Sequence, residues 1–164
     1  MATITGGQTL ICSGSVTFGS SGLQAGQQWV VSTNLTLSST STTSATVTVN
    51  GQGAAWIAIL NPDGKTHDAH KDLWLGKPII TITGPSSTPN GQYADFYAYL
   101  PPEAGVSSTG FQWILNPQLN NNVYGANTYH FTVAFYTAGT YQVVCRATNS
   151  CGTGDYTTTG VNVY

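Results

Sequence analysis

The sequence predicts an all-β protein made of two antiparallel β-sandwiches in tandem. Apolar and polar residues alternate with period two through almost every segment, and clusters of glycine, asparagine and serine separate the segments. No segment shows convincing helical periodicity. The two halves of the chain also match each other, and a short central stretch ends one alternation and starts the next. These observations together predict two domains of the same type.

The internal match consists of three pairs of segments in the same order. They are Ile4–Gly6 with Ile82–Gly84, Gln28–Val30 with Gln112–Ile114, and Ala45–Val49 with His130–Ala134. The offset between the halves grows along the chain, as insertions in the surface loops of a duplicated domain would produce.

The stretch Leu73–Ser87 contains the predicted joint. Leu73–Leu75 closes a strand, Gly76–Pro78 interrupts the ladder, and Ile79–Thr83 opens a new strand. The predicted domains are therefore residues 1–78 and 79–164. Proline fixes its own φ angle and restricts the residue before it, so the joint should be short and stiff.

Strands of the first half are predicted from β-branched and aromatic residues at alternate positions. They are Ile4–Ile11, Ser15–Phe18, Gln27–Ser32, Ser44–Asn50, Ala55–Leu60 and His67–Leu75. Asn61–Gly64 is a strong turn signal, so the last two strands should form a hairpin. The segment Ser38–Ser44 contains only serine and threonine and is expected to be an exposed loop.

The second half shows the same pattern. Its predicted strands are Tyr93–Leu100, Gly110–Leu115, Tyr129–Phe135, Thr140–Ala147 and Tyr156–Val163. Pro101–Gly105 and Asn116–Asn122 are the long connections. Strands at this spacing indicate a β-sandwich.

The low charge of the chain excludes some classes of function. Six acidic and four basic residues among 164 leave no basic run, so nucleic acid is not an expected partner. No apolar run approaches about 20 residues, so no membrane insertion is expected. Met1–Thr5 has neither the basic nor the apolar region of a signal peptide. The surface, rich in serine, threonine and asparagine, favours a piece of an exported protein over a cytoplasmic one.

Three cysteines, Cys12, Cys145 and Cys151, cannot all pair within one chain. Cys145 falls on the apolar face of its predicted strand, which favours a buried free thiol. Cys12 and Cys151 lie in turn-like surroundings, where each could be half of a lost bridge.

The second half resembles a known family. Gly139–Gly152, preceded by Ile82–Pro85 and by the strand Phe111–Trp113, is similar to the PKD-like, immunoglobulin-like domains repeated in secreted and surface proteins of Bacteroidota. The resemblance covers nearly the whole chain, because the first half is similar to their companion immunoglobulin-like unit.

The resemblance of the first half rests on Trp29, Asn34–Leu37 and Trp74–Pro78. Residues 1–78 are thus identified as an immunoglobulin-like sandwich and residues 79–164 as a PKD-like one. Family members often carry a cysteine that can bridge to the one at the position of Cys151, but Ser87–Pro89 occupies its place here, so Cys151 lacks that partner. Cys12 likewise lacks a late partner in its own domain. The resemblance therefore predicts no disulfide within either domain and leaves open whether Cys12 and Cys151 form any other.

Candidate chemistry is sparse. One cluster could bind a metal ion, and it consists of His67, Asp68, His70 and Asp72. On a regular strand, however, His67 points away from the other three. A solvated hairpin arm is the preferred interpretation, so no metal and no cofactor is expected.

Catalysis is not predicted. The pairs Asp95 with Glu103 and His130 with Asp155 have no motif context, and no serine lies in a nucleophile elbow. We therefore assign no catalytic residue.

Aromatic residues divide into core and surface candidates. Trp29 and Trp113 occupy the strand position of a large core aromatic, whereas Trp56 and Trp74 could lie in the core or at the joint. In Tyr93–Leu100, the pattern of the family that the chain resembles implies that Tyr93, Asp95, Tyr97 and Tyr99 point outward. These four are the predicted ligand-binding residues, and the alternative is that they cover the joint or a loop.

The predicted function is a non-catalytic spacer or presentation module of a larger secreted or cell-surface protein. Its partners would be other domains of the same polypeptide. The alternative is a carbohydrate-binding or adhesive module that meets polysaccharide or a surface protein through the exposed tyrosines.

Overall fold

A computed structural model describes residues 2–119 and 121–164. Met1, the first residue of the predicted first domain, and Asn120, within the predicted connection Asn116–Asn122, lie outside the described residues. The chain divides into two compact units. The first runs to Lys77 and includes Glu103–Gly105, and the second comprises Pro78–Pro102 and Val106–Tyr164.

The described residues of the first unit form an immunoglobulin-like β-sandwich of eight strands. They are β1 (Ile4–Thr5), β2 (Leu10–Ile11), β3 (Ser15–Ser20), β4 (Gln28–Val31), β5 (Leu35–Thr40), β6 (Ser44–Val49), β7 (Gly53–Leu60) and β8 (His67–Leu75). Two four-stranded sheets have the orders β1-β3-β6-β5 and β2-β8-β7-β4. The pairs are antiparallel except β2–β8, which is parallel.

The core of the first unit lies between these sheets and includes Trp29. Its side chain is only 5% exposed, and its indole N–H donates to the Ser41 carbonyl at 3.0 Å. Trp74 is buried as well, and its indole N–H donates to the Lys77 carbonyl at 3.2 Å. The prediction that Trp29 is a core residue is confirmed.

The predicted hairpin is also present. Strands β7 and β8 pair along their length, and the turn closes with a hydrogen bond from Gly64 N–H to the Asn61 carbonyl at 3.0 Å. Asp63 accepts from the backbone N–H groups of Lys65 and Thr66, and these bonds lower the pKa of its carboxyl group.

Two predicted segments of the first unit differ in the structure. Ile4–Ile11 is not one strand, because Gly6 and Gly7 have φ angles of 66° and 63° and direct β1 and β2 into different sheets. The segment Ser38–Ser44 is not wholly a loop, since β5 continues through Thr40 with a bulge between Leu37 and Ser39. Hydroxyl pairs such as Ser15 with Thr48, at 2.8 Å, join neighbouring strands of this sheet.

The described residues of the second unit form an immunoglobulin-like sandwich of nine strands. They are β9 (Thr81–Thr83), β10 (Ser87–Thr88), β11 (Tyr93–Tyr99), β12 (Phe111–Asn116), β13 (Asn122–Tyr124), β14 (His130–Ala134), β15 (Gly139–Asn149), β16 (Gly152–Thr153) and β17 (Thr157–Val163). A short 3-10 turn, Pro102–Ala104, follows β11 in the chain. One sheet has the order β13-β14-β11-β9, and the other has the order β10-β17-β15-β12 with β16 beside β15. The sequence prediction lacked β10, β13 and β16 of this unit and β5 of the first unit.

The core of the second unit is centred on Trp113. Its ring stacks on Phe131 with centroids 5.2 Å apart, and its indole N–H donates to the Thr128 carbonyl at 2.7 Å. Tyr141 is fully buried and donates its hydroxyl to the Thr137 carbonyl at 2.9 Å. The all-β fold of two tandem immunoglobulin-like sandwiches is confirmed.

The cysteines divide into one thiol and two bridged residues. Cys145 is a buried free cysteine, as predicted, and burial raises the pKa of its thiol to about 12. Cys12 and Cys151 are both disulfide-bonded, which the sequence left open. Family positions in the sequence do not decide this question, because pairing depends on how the Cβ atoms lie in space.

Candidate ligand-binding face

Strand β11 alternates strictly between core and surface. Ala94, Phe96 and Ala98 are buried. Tyr93, Tyr97 and Tyr99 are 58%, 41% and 75% exposed, and Asp95 is exposed between them. The outward orientation predicted for these four residues is confirmed, and their role in ligand binding stays a prediction.

The neighbouring strands add further groups to this surface, because paired residues share one side of a sheet. Tyr97 lies opposite His130 of β14 and Thr83 of β9. Asp95 lies opposite Thr132, which in turn pairs with Tyr124 of β13. We call this outward side of the sheet β13-β14-β11-β9 the tyrosine face; its members are Tyr93, Asp95, Tyr97, Tyr99, Tyr124, His130 and Thr132.

The middle of the tyrosine face is polar. One oxygen of Asp95, Oδ1, accepts from the Thr132 hydroxyl at 2.6 Å and lies 2.8 Å from His130 Nε2. The Tyr97 ring stacks on His130 with centroids 4.5 Å apart and planes within 8°. Hydrogen bonds from Thr132 and His130 lower the pKa of Asp95. The carboxylate is thus fixed in position and kept ionised.

One end of the tyrosine face carries a cluster of phenols. The rings of Tyr93 and Tyr124 lie 6.3 Å apart, and a hydrogen bond with Tyr124 raises the pKa of Tyr93. Nearby, the Asn122 amide donates to the Tyr136 hydroxyl at 3.0 Å. All three tyrosines are about half exposed, so both ring surfaces and hydroxyls face solvent at this end.

The other end of the tyrosine face borders a cleft of about 400 Å³. Tyr97, Tyr99 and Tyr129 line it together with Val106 and Phe111. Its volume is within the range of about 300–1,000 Å³ that is usual for small-molecule sites. The row of tyrosines therefore leads into a concave region at the end of β11.

This arrangement can hold a flat, hydroxylated ligand. Exposed tyrosine rings supply apolar surface at a low cost in side-chain entropy, and their hydroxyls supply hydrogen bonds. Between the two aromatic ends, Asp95 can accept hydrogen bonds from a ligand, and Thr132 and His130 support it. No chemical step follows from these contacts.

Sequence analysis missed part of this face and the tyrosines that border it. Tyr124, Tyr129 and Tyr136 were not singled out, and His130 was considered with Asp155, and Asp95 with Glu103. In the structure Asp95 contacts His130 instead, because the register of β11 and β14 sets Tyr97 opposite His130. Alternation along His130–Ala134 was the available signal, but it does not reveal which strand lies alongside.

The histidine cluster of the first unit also differs from its prediction. A register shift between Ile59 and Leu60 forms a bulge opposite them in β8, so His67 lies on the same side as His70. The rings of His67, His70 and Trp56 lie within 5.7 Å of each other. The prediction that His67 points away is therefore wrong.

The acidic members of that cluster are engaged with other groups. Asp68 accepts hydrogen bonds from the backbone N–H of Ala2 and from the Gln27 amide, and both lower its pKa. Asp72 lies 3.0 Å from His70 Nε2. Among the described residues, no group of three histidine, cysteine or carboxylate side chains is placed to hold a metal ion.

Across residues 2–119 and 121–164, no helix has the length and hydrophobicity needed to cross a membrane.

Replacing Asp95 by asparagine should lower stability slightly near neutral pH. The folded pKa of Asp95 is below its unfolded value, so its contribution is fully present above about pH 4 and is lost as pH falls through the folded pKa. Because the carboxyl is about half exposed, we expect a loss below about 1 kcal/mol. Urea denaturation of both proteins at pH 7 and in acid measures this loss. A difference that grows in acid would contradict the assignment.

Comparison with known proteins gives structural similarity alone. No family model and no curated protein matches the sequence. The Escherichia coli adhesin FdeC is similar at 14% identity and TM-score 0.39, over 100% of this chain and 63% of that chain. InvD of Yersinia pseudotuberculosis is similar at 14% identity and TM-score 0.43, over 99% of this chain and 56% of that one. The Drosophila DLAR Ig1-2 module is similar at 13% identity and TM-score 0.36, over 99% of this chain and 98% of that one. The chain thus spans less than two thirds of the first two.

Proposed function

We propose that this chain is a non-catalytic module of a larger exported protein and that its second domain binds polysaccharide through the tyrosine face. The proposal keeps the domain limits 1–78 and 79–164 and a PKD-like second domain of a Bacteroidota surface protein. The proposed ligand-binding residues are the four that were singled out from the sequence: Tyr93, Asp95, Tyr97 and Tyr99. No cofactor takes part.

One observation carries the proposal: several exposed tyrosines gather on one sheet face beside a cleft. Large exposed aromatic surfaces are rare on plain scaffolds unless they meet a partner. Tyr97 and Tyr99 follow each other at about 6.6–6.8 Å along β11, a spacing that lets two rings contact successive parts of one polymer. Asp95 then lies within the same row to accept hydrogen bonds from hydroxyl groups.

One further feature supports an exported protein, and another supports an uncharged ligand. Cys12 and Cys151 are disulfide-bonded, and disulfides persist mainly in oxidising compartments. The chain has only six acidic and four basic residues, so a ligand without charge suits its surface better than a charged one. A spacer role, in which the module holds other domains at a defined distance, is compatible with binding and is the alternative if no ligand is found.

Binding of the whole chain to soluble and insoluble polysaccharides tests the proposal. Affinity electrophoresis and pull-down should show retention on at least one polymer, and the double variant Tyr97→Ala and Tyr99→Ala should abolish it without lowering the melting temperature. Tyr156→Ala is the matched control, because Tyr156 is about half exposed and stacks on Arg146 of the opposite sheet, 4.5 Å away.

Two outcomes would contradict binding through this face. The first is no retention on any polysaccharide, which would leave the spacer role. The second is an equal loss of retention in Tyr156→Ala, which would place the contact elsewhere on the chain.

A further inference from the structure

We infer that the tyrosine face selects uncharged polysaccharides and rejects anionic ones, with the Asp95 carboxylate as the group that determines this specificity. The inference rests on the proposed function and names the class of ligand for the same site. Its observations are the charges on the face and the hydrogen bonds that fix Asp95.

The tyrosine face carries no lysine or arginine to receive an anionic polymer. No lysine or arginine occurs anywhere between Lys77 and Arg146, a stretch that contains all four strands of this sheet. Arg146 belongs to β15 of the opposite sheet and is engaged there with Gln112 and Tyr156. Uronate or sulfate groups bound along β11 would therefore meet neither a lysine nor an arginine.

The one carboxylate of the face lies in its middle. Asp95 has tyrosines on either side along β11, and its side chain is 49% exposed. The Thr132 hydroxyl and His130 Nε2 contact the same oxygen, Oδ1, which holds the carboxylate in place. A ligand that spans Tyr93 to Tyr99 must therefore pass over a fixed negative charge.

His130 is already engaged by neighbouring groups of the face. Its Nε2 atom is directed at Asp95 and lies 3.2 Å from the Thr132 hydroxyl, and its ring is covered on one side by Tyr97. The other groups paired across the face, Thr83, Thr132 and Tyr124, present hydroxyl groups. Sugar hydroxyls can donate to Asp95, whereas a carboxylate on the ligand has no hydrogen to donate.

The size of the expected discrimination follows from electrostatics. Two like charges about 4 Å apart at a protein surface repel enough to weaken binding by about tenfold or more at low salt. Since salt screens exposed charges over about 10 Å at 0.1 M, the discrimination should shrink as salt is added. Stacking on tyrosines has no such salt dependence.

Polymers that differ only in their substituents provide the test. The probes are hydroxyethyl cellulose with carboxymethyl cellulose, and dextran with carboxymethyl dextran, measured with the whole chain by affinity electrophoresis at low and high salt. We expect the neutral member of a retained pair to bind at least about tenfold more tightly at low salt. In Asp95→Asn, binding of the anionic member should rise about tenfold and most of the salt dependence should vanish. Asp155→Asn, which removes the same charge just before β17 of the opposite sheet, should change neither.

The outcomes separate the inference from the proposed function. Equal retention of the neutral and carboxymethyl polymers would overturn the inference while polysaccharide binding stands. Unchanged discrimination in Asp95→Asn would also overturn it, because another group would then set the specificity. If the four probes and every polysaccharide of the wider panel fail to bind, the proposed function and the inference both fall.

Discussion

Replacing Trp113 by alanine is expected to lower the free energy of unfolding of the second unit by about 3–5 kcal/mol. The side chain is 6% exposed, and its ring stacks on Phe131 at 5.2 Å. Truncation would leave a cavity between the two sheets and would also remove the indole N–H that donates to the Thr128 carbonyl. Chemical denaturation followed by circular dichroism measures the loss.

A control on the same strand makes this result specific. Gln112 is exposed, and its side-chain oxygen accepts from Arg146 Nε at 2.7 Å. Gln112→Ala should change stability by less than about 1 kcal/mol, because exposed polar contacts contribute little. If Trp113→Ala were no more destabilising than Gln112→Ala, the alignment of the two halves would be wrong, because it pairs Trp29 with Trp113 as core residues.

Features governed by local alternation were predictable from sequence. The inward side of β11, the burial of Trp29 and Trp113, and the free buried Cys145 all follow from period-two patterns in single strands. The hairpin after Leu60 was predictable as well, because Asn61–Gly64 determines its own turn through local hydrogen bonds.

Features governed by irregular backbone were not predictable in this way. Two consecutive glycines divide Ile4–Ile11 between two sheets, and the bulge in β8 reverses the direction of His67. A single inserted residue turns every preceding side chain to the other face, so alternation alone gives the wrong side. Strand β13 has only three residues, all exposed, and so carries no apolar pattern.

Only part of the candidate site could be predicted from the sequence, for a related reason. Tyr93, Asp95, Tyr97 and Tyr99 lie on one strand, where alternation shows their common direction. Their partners come from β13 and β14, about 30 residues further along the chain, and the contact between Asp95 and His130 depends on the register of β11 with β14. Register is set by packing of the whole sandwich, which no local pattern contains.

The turn that joins β13 to β14 links this site to the core, and Gly125 is its critical residue. Gly125 has a φ angle of +72°, and a Cβ atom there would lie 2.1 Å from the His130 carbonyl oxygen. Its own carbonyl accepts from Thr128 N–H at 3.0 Å, and the Thr128 carbonyl accepts from Trp113. Gly125→Ala should therefore displace the backbone that places Tyr124 and His130.

We expect Gly125→Ala to destabilise the second unit by about 3 kcal/mol or more, which combines backbone strain with a clash against backbone. Gly91→Ala is the matched control, because Gly91 has a φ angle of +80° but open space around the Cβ position. The control measures the cost of the positive φ angle alone, about 1 kcal/mol. Urea denaturation of both variants separates the two contributions. Equal losses of stability in the two variants would show that the turn relieves the clash with the His130 carbonyl at no cost. Close contact between Gly125 and His130 would then not determine the positions of residues in the tyrosine face.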